Sequence, residues 1–190
     1  MSEAEERLLE ILKRRSFKGE GPYKLASGGT SDYYIDGKMT EVFSAGAFLI
    51  GEVLYERTKD LGIQAIGGLE AGAIPLTTAA VIAYHLKGKP MEGFWVRSKV
   101  KDHGTQRHVE GNLEEGSRVV IVDDVVTRGS SAAHAIEEVK KKGCKVVQII
   151  SLVDRNAGAR ELFARCGITE YHPIFTVGDL RNAGLGGTPL

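Results

Sequence analysis

The chain has 190 residues, of which 42% are hydrophobic and 26% are charged, the balance of an ordinary soluble globular protein. Its 25 basic and 25 acidic residues cancel, so the overall charge indicates neither a nucleic-acid partner nor a membrane surface. The charged N-terminus is unlike a signal peptide, no apolar run is long enough to span a bilayer, and two cysteines form neither a metal motif nor a disulfide framework. We therefore expect one cytoplasmic domain over residues 1–190, with a small N-terminal segment at about 1–40 and a core at about 41–175.

The hydrophobic pattern predicts the secondary structure in chain order. The expected elements are a helix at 3–15, a hairpin at 23–38, a helix at 44–60, a strand, loop and helix at 63–86, a strand at 91–99, a strand, loop and helix at 118–142, a strand at 144–154, a helix at 157–167 and a last strand at 171–180. Alternating helices and nearly continuous apolar strands are typical of an α/β fold with a parallel central sheet flanked by helices.

In such sheets ligands bind beyond the carboxyl ends of the strands. Three polar features are expected there: the loop at 67–74, the loop at 123–131, and the pair Asp154 and Arg155. We therefore look for the function in these three places.

The second loop belongs to the stretch RVVIVDDVVTRGSSAAHAI, residues 118–136, in which an apolar run meets two adjacent acids. Asp123 and Asp124 cannot both enter one core, so at least one is expected to accept hydrogen bonds from ligand hydroxyls. The following hydroxyl residues and Gly129 lead directly into a helix, whose first N–H groups form an anion cradle. A turn with a serine N-cap is the structural alternative for the GSS segment alone. Both halves together fit a sugar with two hydroxyls and a 5-phosphate.

The whole stretch resembles the signature with which phosphoribosyltransferases bind phosphoribosyl pyrophosphate. The resemblance implies that Asp123 and Asp124 hold the ribose 2- and 3-hydroxyls and that the following residues hold the 5-phosphate. The 5-phosphate is assigned to Thr127, Arg128, Gly129, Ser130 and Ser131, and the phosphoribosyl pyrophosphate site as a whole also includes Val125 and Val126. The loop GGLEAGAIPL is similar to the family's Gly-rich loop that touches the pyrophosphate.

Residues 97–104, RSKVKDHG, concentrate donors that suit a pyrophosphate leaving group, although an isolated charge run is more often a solvated loop. The cationic side chains are Arg97, Lys99, Lys101 and His103. This segment resembles the mobile catalytic loop of orotate phosphoribosyltransferases, with Gly104 and Gly111 able to let it move as a lid. The resemblance implies that Lys101 and His103 stabilise the departing charge and that His103 can pass a proton.

Two further segments bear on the acceptor base. LASGGTSDYYID resembles the N-terminal segment whose aromatic residues line the orotate pocket, a role that falls on Tyr34, with Tyr33 beside it. SLVDRNAG contains the Asp-Arg pair whose arginine binds the orotate carboxylate in that family, which assigns Arg155; a guanidinium fork matches a carboxylate. Thr127 is expected to contact the base as well. Taken alone, each segment also fits ordinary structure: hairpin aromatics and a surface ion pair.

The chain departs from the family pattern at three positions. Gly72 and Ala26 stand where many members have lysine, and Ser98 stands where the loop has a second basic residue. Lys24 and Lys99 lie one or two positions away and are the candidates to compensate.

The resemblance implies an orotate phosphoribosyltransferase of pyrimidine (UMP) biosynthesis, with a type I phosphoribosyltransferase fold and an N-terminal hood over the base site. Catalysis is assigned to Lys101, His103 and Asp124, and Mg²⁺ is the expected cofactor, bound through substrate oxygens and, through water, by Asp123 or Asp124. The expected assembly is a homodimer with shared active sites. The alternatives are a phosphoribosyltransferase for a purine base and a non-catalytic regulator that senses phosphoribosyl pyrophosphate, although no nucleic-acid patch is visible.

Overall fold

The computed structural model describes residues 1–19, 21–24, 30–99 and 108–182. Its helices are α1 (Glu3–Arg15), α2 (Lys38–Glu41), α3 (Ser44–Thr58), α4 (Ala73–Leu86), α5 (Ser130–Lys141), α6 (Ala159–Arg165) and α7 (Val177–Asn182). Its strands are β1 (Phe17–Lys18), β2 (Tyr23–Lys24), β3 (Thr30–Ser31), β4 (Tyr34–Ile35), β5 (Ala65–Leu69), β6 (Glu92–Val96), β7 (Val109–Gly111), β8 (Arg118–Val126), β9 (Lys145–Asp154) and β10 (Phe175–Thr176). Among the described residues, no helix is long and apolar enough to cross a membrane.

Six strands form the central sheet in the order β10-β9-β8-β5-β6-β7. Every neighbouring pair is parallel except β6 and β7, which run antiparallel at the edge. The predicted α/β fold with a parallel central sheet is therefore confirmed. The sheet's inner strands lie between helices on both sides, which explains why they are apolar on both faces.

Alternate residues of β8 enter two different cores, because successive side chains of a strand point to opposite faces. Val120 and Val122 pack in a cluster with residues of α1, α3 and α4. Val119 and Ile121 pack in a second cluster with residues of α5 and α6. The strand that carries the two acids is thus held from both sides.

The N-terminal residues form a helix and two small antiparallel pairs. Ser2 and Glu5 make a reciprocal capping box at the start of α1. The predicted hairpin region contains the pair β2–β3, while β4 pairs instead with β1, which directly follows α1. The hairpin prediction therefore describes only part of this region.

Three local predictions differ from the structure. β8 extends through Val126, so the two acids lie inside the strand rather than after it, because β9 continues the ladder up to Asp154. The predicted last strand is reduced to β10, since Thr176 and Asp179 cap each other's backbone and begin α7. The short edge strand β7 was not predicted, because three residues carry too little pattern.

Candidate functional site

The three polar features expected from the sequence meet at one edge of the sheet. β5, β8 and β9 are neighbours, and they end at Leu69, Val126 and Asp154. The loops that follow these strands therefore start side by side. The prediction that the three features share the carboxyl edge is confirmed by the topology.

The loop after β8 encloses a small cavity at the beginning of α5. Its volume is about 110 Å³, and it is lined by Asp123 and by residues 125–131. Gly129 has a φ of 82°, and a Cβ atom there would lie 2.7 Å from ring carbons of Phe163, so only glycine fits. The first N–H groups of α5 lack helical partners, which makes this cavity suited to an anion.

The two acids of β8 lie in different environments. Asp123 is buried, whereas Asp124 is partly exposed, and the Asp124 N–H donates to Asp123 Oδ1 at 3.1 Å. Burial and the neighbouring charge of Asp124 raise the pKa of Asp123 to about 8. A carboxyl with such a pKa exchanges a proton near neutral pH and can either accept from or donate to a hydroxyl.

A second acid lies beside Asp124 and comes from α2. The Glu41 side chain is buried, and neither of its carboxyl oxygens has a hydrogen-bond partner in the part of the chain that is described. A Cβ atom at Gly37 would overlap a Glu41 oxygen and lie 3.4 Å from Asp124 Cβ, which places the two acids next to each other. Burial, followed by the charge of Asp124, raises the pKa of Glu41 to about 8.

The cation at this cluster of acids is Lys38, also from α2. Its Nζ lies 3.5 Å from Asp124 Oδ2, and the charge of Asp124 raises the pKa of Lys38. Neither Lys38 nor Glu41 was predicted from the sequence as a site residue. Their segment carries no phosphate or metal pattern, and their position depends on α2 lying beside β8, more than 80 residues away along the chain.

Gly72, one of the three departures from the family pattern, lies against Asp124. A Cβ atom at this position would overlap the Asp124 carboxylate. The structure therefore has no room for a lysine at position 72 without a shift of Asp124. Lys38 supplies a cation at the same carboxylate instead.

Arg155 is oriented by the N-terminal residues. Its Nε donates to the Tyr33 hydroxyl at 3.0 Å, its NH2 group donates to Ser31 Oγ at 3.3 Å, and its guanidinium lies 4.7 Å from the centre of the Tyr33 ring. Tyr34 is 40% exposed and packs against Tyr23, with ring centres 5.8 Å apart. The aromatic partner of Arg155 is thus Tyr33, the neighbour of Tyr34, which is the residue predicted to line the base pocket.

The described part of the basic segment is held by acids. Arg97 Nε donates to Glu110 at 2.7 Å, and its NH1 group lies 4.0 Å from Glu70. The Ser98 N–H and hydroxyl both donate to Glu70, from the loop after β5. Lys99 is exposed. Four positions singled out from the sequence, Ala26, Lys101, His103 and Gly104, lie outside the described residues.

The site therefore combines an anion cavity, a cluster of carboxylates and a guanidinium. Carboxylate oxygens are the ligands that Mg²⁺ prefers, so Asp123 and Asp124 have the chemistry to bind it directly or through water. Asp123 itself lines the cavity, so one ligand can contact the anion cavity and an acid together.

We expect Glu41→Gln to flatten the dependence of stability on pH. The Glu41 pKa is 4.5 in the unfolded chain and about 8 in the fold, so the unfolded chain releases a proton that the folded chain keeps. Stability is therefore lost progressively as the pH rises from 4.5 to about 8. The glutamine variant should be more stable than wild type at the upper end, by at least about 1 kcal/mol, the value of one pKa unit.

Urea unfolding at a series of pH values in Mg²⁺-free buffer measures this difference. The exposed Glu10→Gln variant is the control and should keep the wild-type profile. Equal slopes for wild type and Glu41→Gln would contradict the assignment of a buried, protonated Glu41.

The family model, a related sequence and two solved structures that match this chain are all of phosphoribosyltransferases. Residues 40–168 match the model of the phosphoribosyl transferase domain. An orotate phosphoribosyltransferase of Bradyrhizobium sp. is 44% identical over 167 residues, which are 86% of this chain and 90% of that relative. An orotate phosphoribosyltransferase of Mycobacterium tuberculosis matches in structure with a TM-score of 0.81 and 36% identity, over 93% of this chain and 98% of that one.

A second crystal structure from M. tuberculosis holds the enzyme in complex with 5-phospho-α-D-ribosyl 1-diphosphate. It matches with a TM-score of 0.78 and 31% identity, over 94% of this chain and 99% of that one. The sequence match, the fold and the polar edge of the sheet agree with one another, and the chain therefore belongs to the orotate phosphoribosyltransferase family of phosphoribosyltransferases.

Proposed function

We propose that this chain transfers the 5-phosphoribosyl group of phosphoribosyl pyrophosphate to orotate, giving orotidine 5-monophosphate and pyrophosphate. This reaction is a step of de novo pyrimidine biosynthesis, and we place it in the cytoplasm. The observation that carries the proposal is the cavity at the start of α5, which is lined by residues 125–131 and by Asp123. A cavity suited to an anion adjoins there an acid that can accept from sugar hydroxyls, as the donor substrate requires.

The 5-phosphate is assigned to the cavity and the ribose to the acids. Backbone N–H groups and the hydroxyls of Thr127, Ser130 and Ser131 bind the phosphate, and the exposed Arg128 is free to add a contact from the rim. Asp123 and Asp124 accept from the ribose 2- and 3-hydroxyls. Asp124 faces the developing positive charge on the sugar ring, which its carboxylate stabilises.

Mg²⁺ is the proposed cofactor, and Asp123 and Asp124 would hold it, directly or through water. When bound, it would neutralise the negative charge of the pyrophosphate. The protein's own part is to hold the sugar between the phosphate cavity and the acids, so that the anomeric carbon is fixed for displacement through an oxocarbenium-like state. Lys38 keeps the charge of Asp124 compensated until the substrate arrives.

The leaving pyrophosphate is assigned to the basic segment. Arg97 lies beside Glu70, in the loop that follows β5, so it is positioned next to the Gly-rich loop that the family uses for pyrophosphate. Lys99 adds a cation, and Lys101 and His103 carry the catalytic roles that the family resemblance assigns. Arg97 uses its Nε for Glu110, so its two terminal nitrogens remain as donors for a pyrophosphate oxygen.

Orotate is assigned to the space between the N-terminal residues and the end of β9. Arg155 binds the orotate carboxylate with its planar fork, Thr127 contacts the base, and Tyr34 covers its face. Tyr33 and Ser31 hold Arg155 in place. This arrangement supports the division of one domain, residues 1–190, into an N-terminal hood at about 1–40 and a core at about 41–175.

Purified protein with Mg²⁺, phosphoribosyl pyrophosphate and each base in turn tests the function through pyrophosphate release. We expect turnover with orotate. Turnover only with a purine would show that the acceptor is a purine base and not orotate. No turnover with any base would favour the regulator that senses phosphoribosyl pyrophosphate.

The Lys101→Ala variant tests the role of the basic segment in the same assay. It should lower turnover by at least about 100-fold, the usual loss when a group that stabilises transition-state charge is removed, while ribose-phosphate binding changes little. Lys145→Ala, at the opposite edge of the sheet, is the control and should keep the wild-type rate. An unchanged rate for Lys101→Ala would remove the basic segment from the mechanism.

Arg155→Lys is expected to raise the KM for orotate by about 10- to 100-fold, the value of a lost charge-assisted hydrogen bond, because an ammonium cannot replace the fork. The affinity for phosphoribosyl pyrophosphate should stay near that of wild type. Steady-state kinetics with each substrate varied in turn measures both. Arg165→Lys, on α6, is the matched control. A KM for orotate that does not change would contradict the assignment of the carboxylate to Arg155.

A homodimer with shared active sites is proposed, and an exposed apolar surface on α3 and α4 supports it. Phe48, Ile82 and Leu86 are 57%, 54% and 65% exposed, and they line one groove with Ala47 and Ala79. Exposed apolar patches of this kind mark protein interfaces. A second copy of the chain is the proposed occupant.

Ile82→Glu should give a monomer in sedimentation experiments, because a charge would be buried at the interface. Ile82→Leu keeps the apolar surface and should remain a dimer. If sites are shared, the monomeric variant should lose turnover and keep its fold. A dimeric Ile82→Glu protein would show that this groove is not the interface.

A further inference from the structure

Three metal-ligating side chains converge on the face of the sheet that is covered by α5. His134 and Glu138 are four residues apart on α5 and therefore lie on one side of the helix. His108 directly precedes β7. One ligand atom from each of the three lies within 4.8 Å of the others.

The two imidazoles are left with unsatisfied polar atoms. His108 Nδ1 and His134 Nε2 are buried and have no hydrogen-bond partner in the described ranges 1–19, 21–24, 30–99 and 108–182. The rings meet edge to face, with centres 6.2 Å apart, a contact that leaves both nitrogens unused. A buried polar atom without a partner costs free energy, and a bound metal ion would recover it.

The third group is an ionised carboxylate. The Glu138 side chain is only 8% exposed, and Lys141 Nζ lies 2.6 Å from its Oε1. The hydrogen bond from Lys141, then the charges of His108 and His134, lower the pKa of Glu138. Because the Lys141 side chain is 68% exposed, it can leave toward solvent when another cation takes its place.

We propose that His108, His134 and Glu138 bind a divalent transition-metal ion of the Zn²⁺ class. Two imidazole nitrogens and one carboxylate oxygen are a frequent ligand set for such ions, with a fourth position left to water. This set contains two nitrogen ligands, whereas the site proposed for Mg²⁺ has only oxygen ligands. Each site therefore prefers a different class of metal ion. The ion would fasten the edge strand β7 to α5, the helix whose first residues line the anion cavity.

This site does not depend on the proposed transferase reaction. Untagged protein is stripped with a chelator and titrated with Zn²⁺ by calorimetry, without Mg²⁺ or substrate. We expect one ion per chain and a Tm that rises by several degrees with Zn²⁺, because a ligand that binds only the fold stabilises it.

The matched variants are His134→Gln and His108→Gln, on two separate elements. Each should weaken Zn²⁺ binding by more than about tenfold and should abolish the rise in Tm. Loss of a side chain that only supports a metal ligand already lowers the affinity by about tenfold or more, so loss of a ligand itself should cost more. His172→Gln removes an exposed histidine that also lies beside a glutamate, at 3.0 Å from Glu170, and should bind Zn²⁺ as wild type does. Cys166→Ser tests for thiol binding and should also behave as wild type.

Co²⁺ provides a readout on the wild-type protein, which needs no variant to fold. Its visible spectrum should show nitrogen and oxygen ligation without a thiolate charge-transfer band. Absence of Zn²⁺ binding to wild type, wild-type affinity for Zn²⁺ in both histidine variants, or a thiolate band would each overturn the proposal.

Discussion

The site depends on the way in which β8 ends. The strand is buried on both faces and hydrogen-bonded on both edges, yet two adjacent carboxyl groups lie among its last four residues. Burying like charges is costly, and the structure limits the cost by giving the two groups different environments. Asp123 is buried with a raised pKa, while Asp124 reaches toward Lys38.

This constraint determines the local packing around Asp124. Gly37 and Gly72 leave room for the carboxylate where any larger residue would overlap it or its neighbour Glu41. The glycine at position 72 is therefore a steric requirement of this chain's acid cluster, and the cation that balances the cluster comes from α2. Lys38 Nζ lies 3.5 Å from Asp124 Oδ2 and so places a positive charge at this carboxylate.

The cations of the site are held by protein partners. Arg97 is paired with Glu110 and lies near Glu70, whereas Arg155 is bound by the neutral hydroxyls of Tyr33 and Ser31. The two situations differ physically. A guanidinium that is held by hydroxyls keeps its full charge available to a carboxylate, while the charge of one that is paired with acids is partly compensated and attracts an anion less strongly.

The sequence by itself determined the α/β class, the order of most elements and the position of the loop that is proposed to bind phosphate, because these depend on local patterns: apolar runs, a glycine before a helix and adjacent acids in one strand. It also indicated Arg155, through the strand that precedes it. It did not determine that Tyr33 orients Arg155, that Lys38 and Glu41 surround Asp124, or that His108 approaches α5. Each of these is a contact between residues far apart in the chain, and only the packing of helices and strands on the sheet decided them.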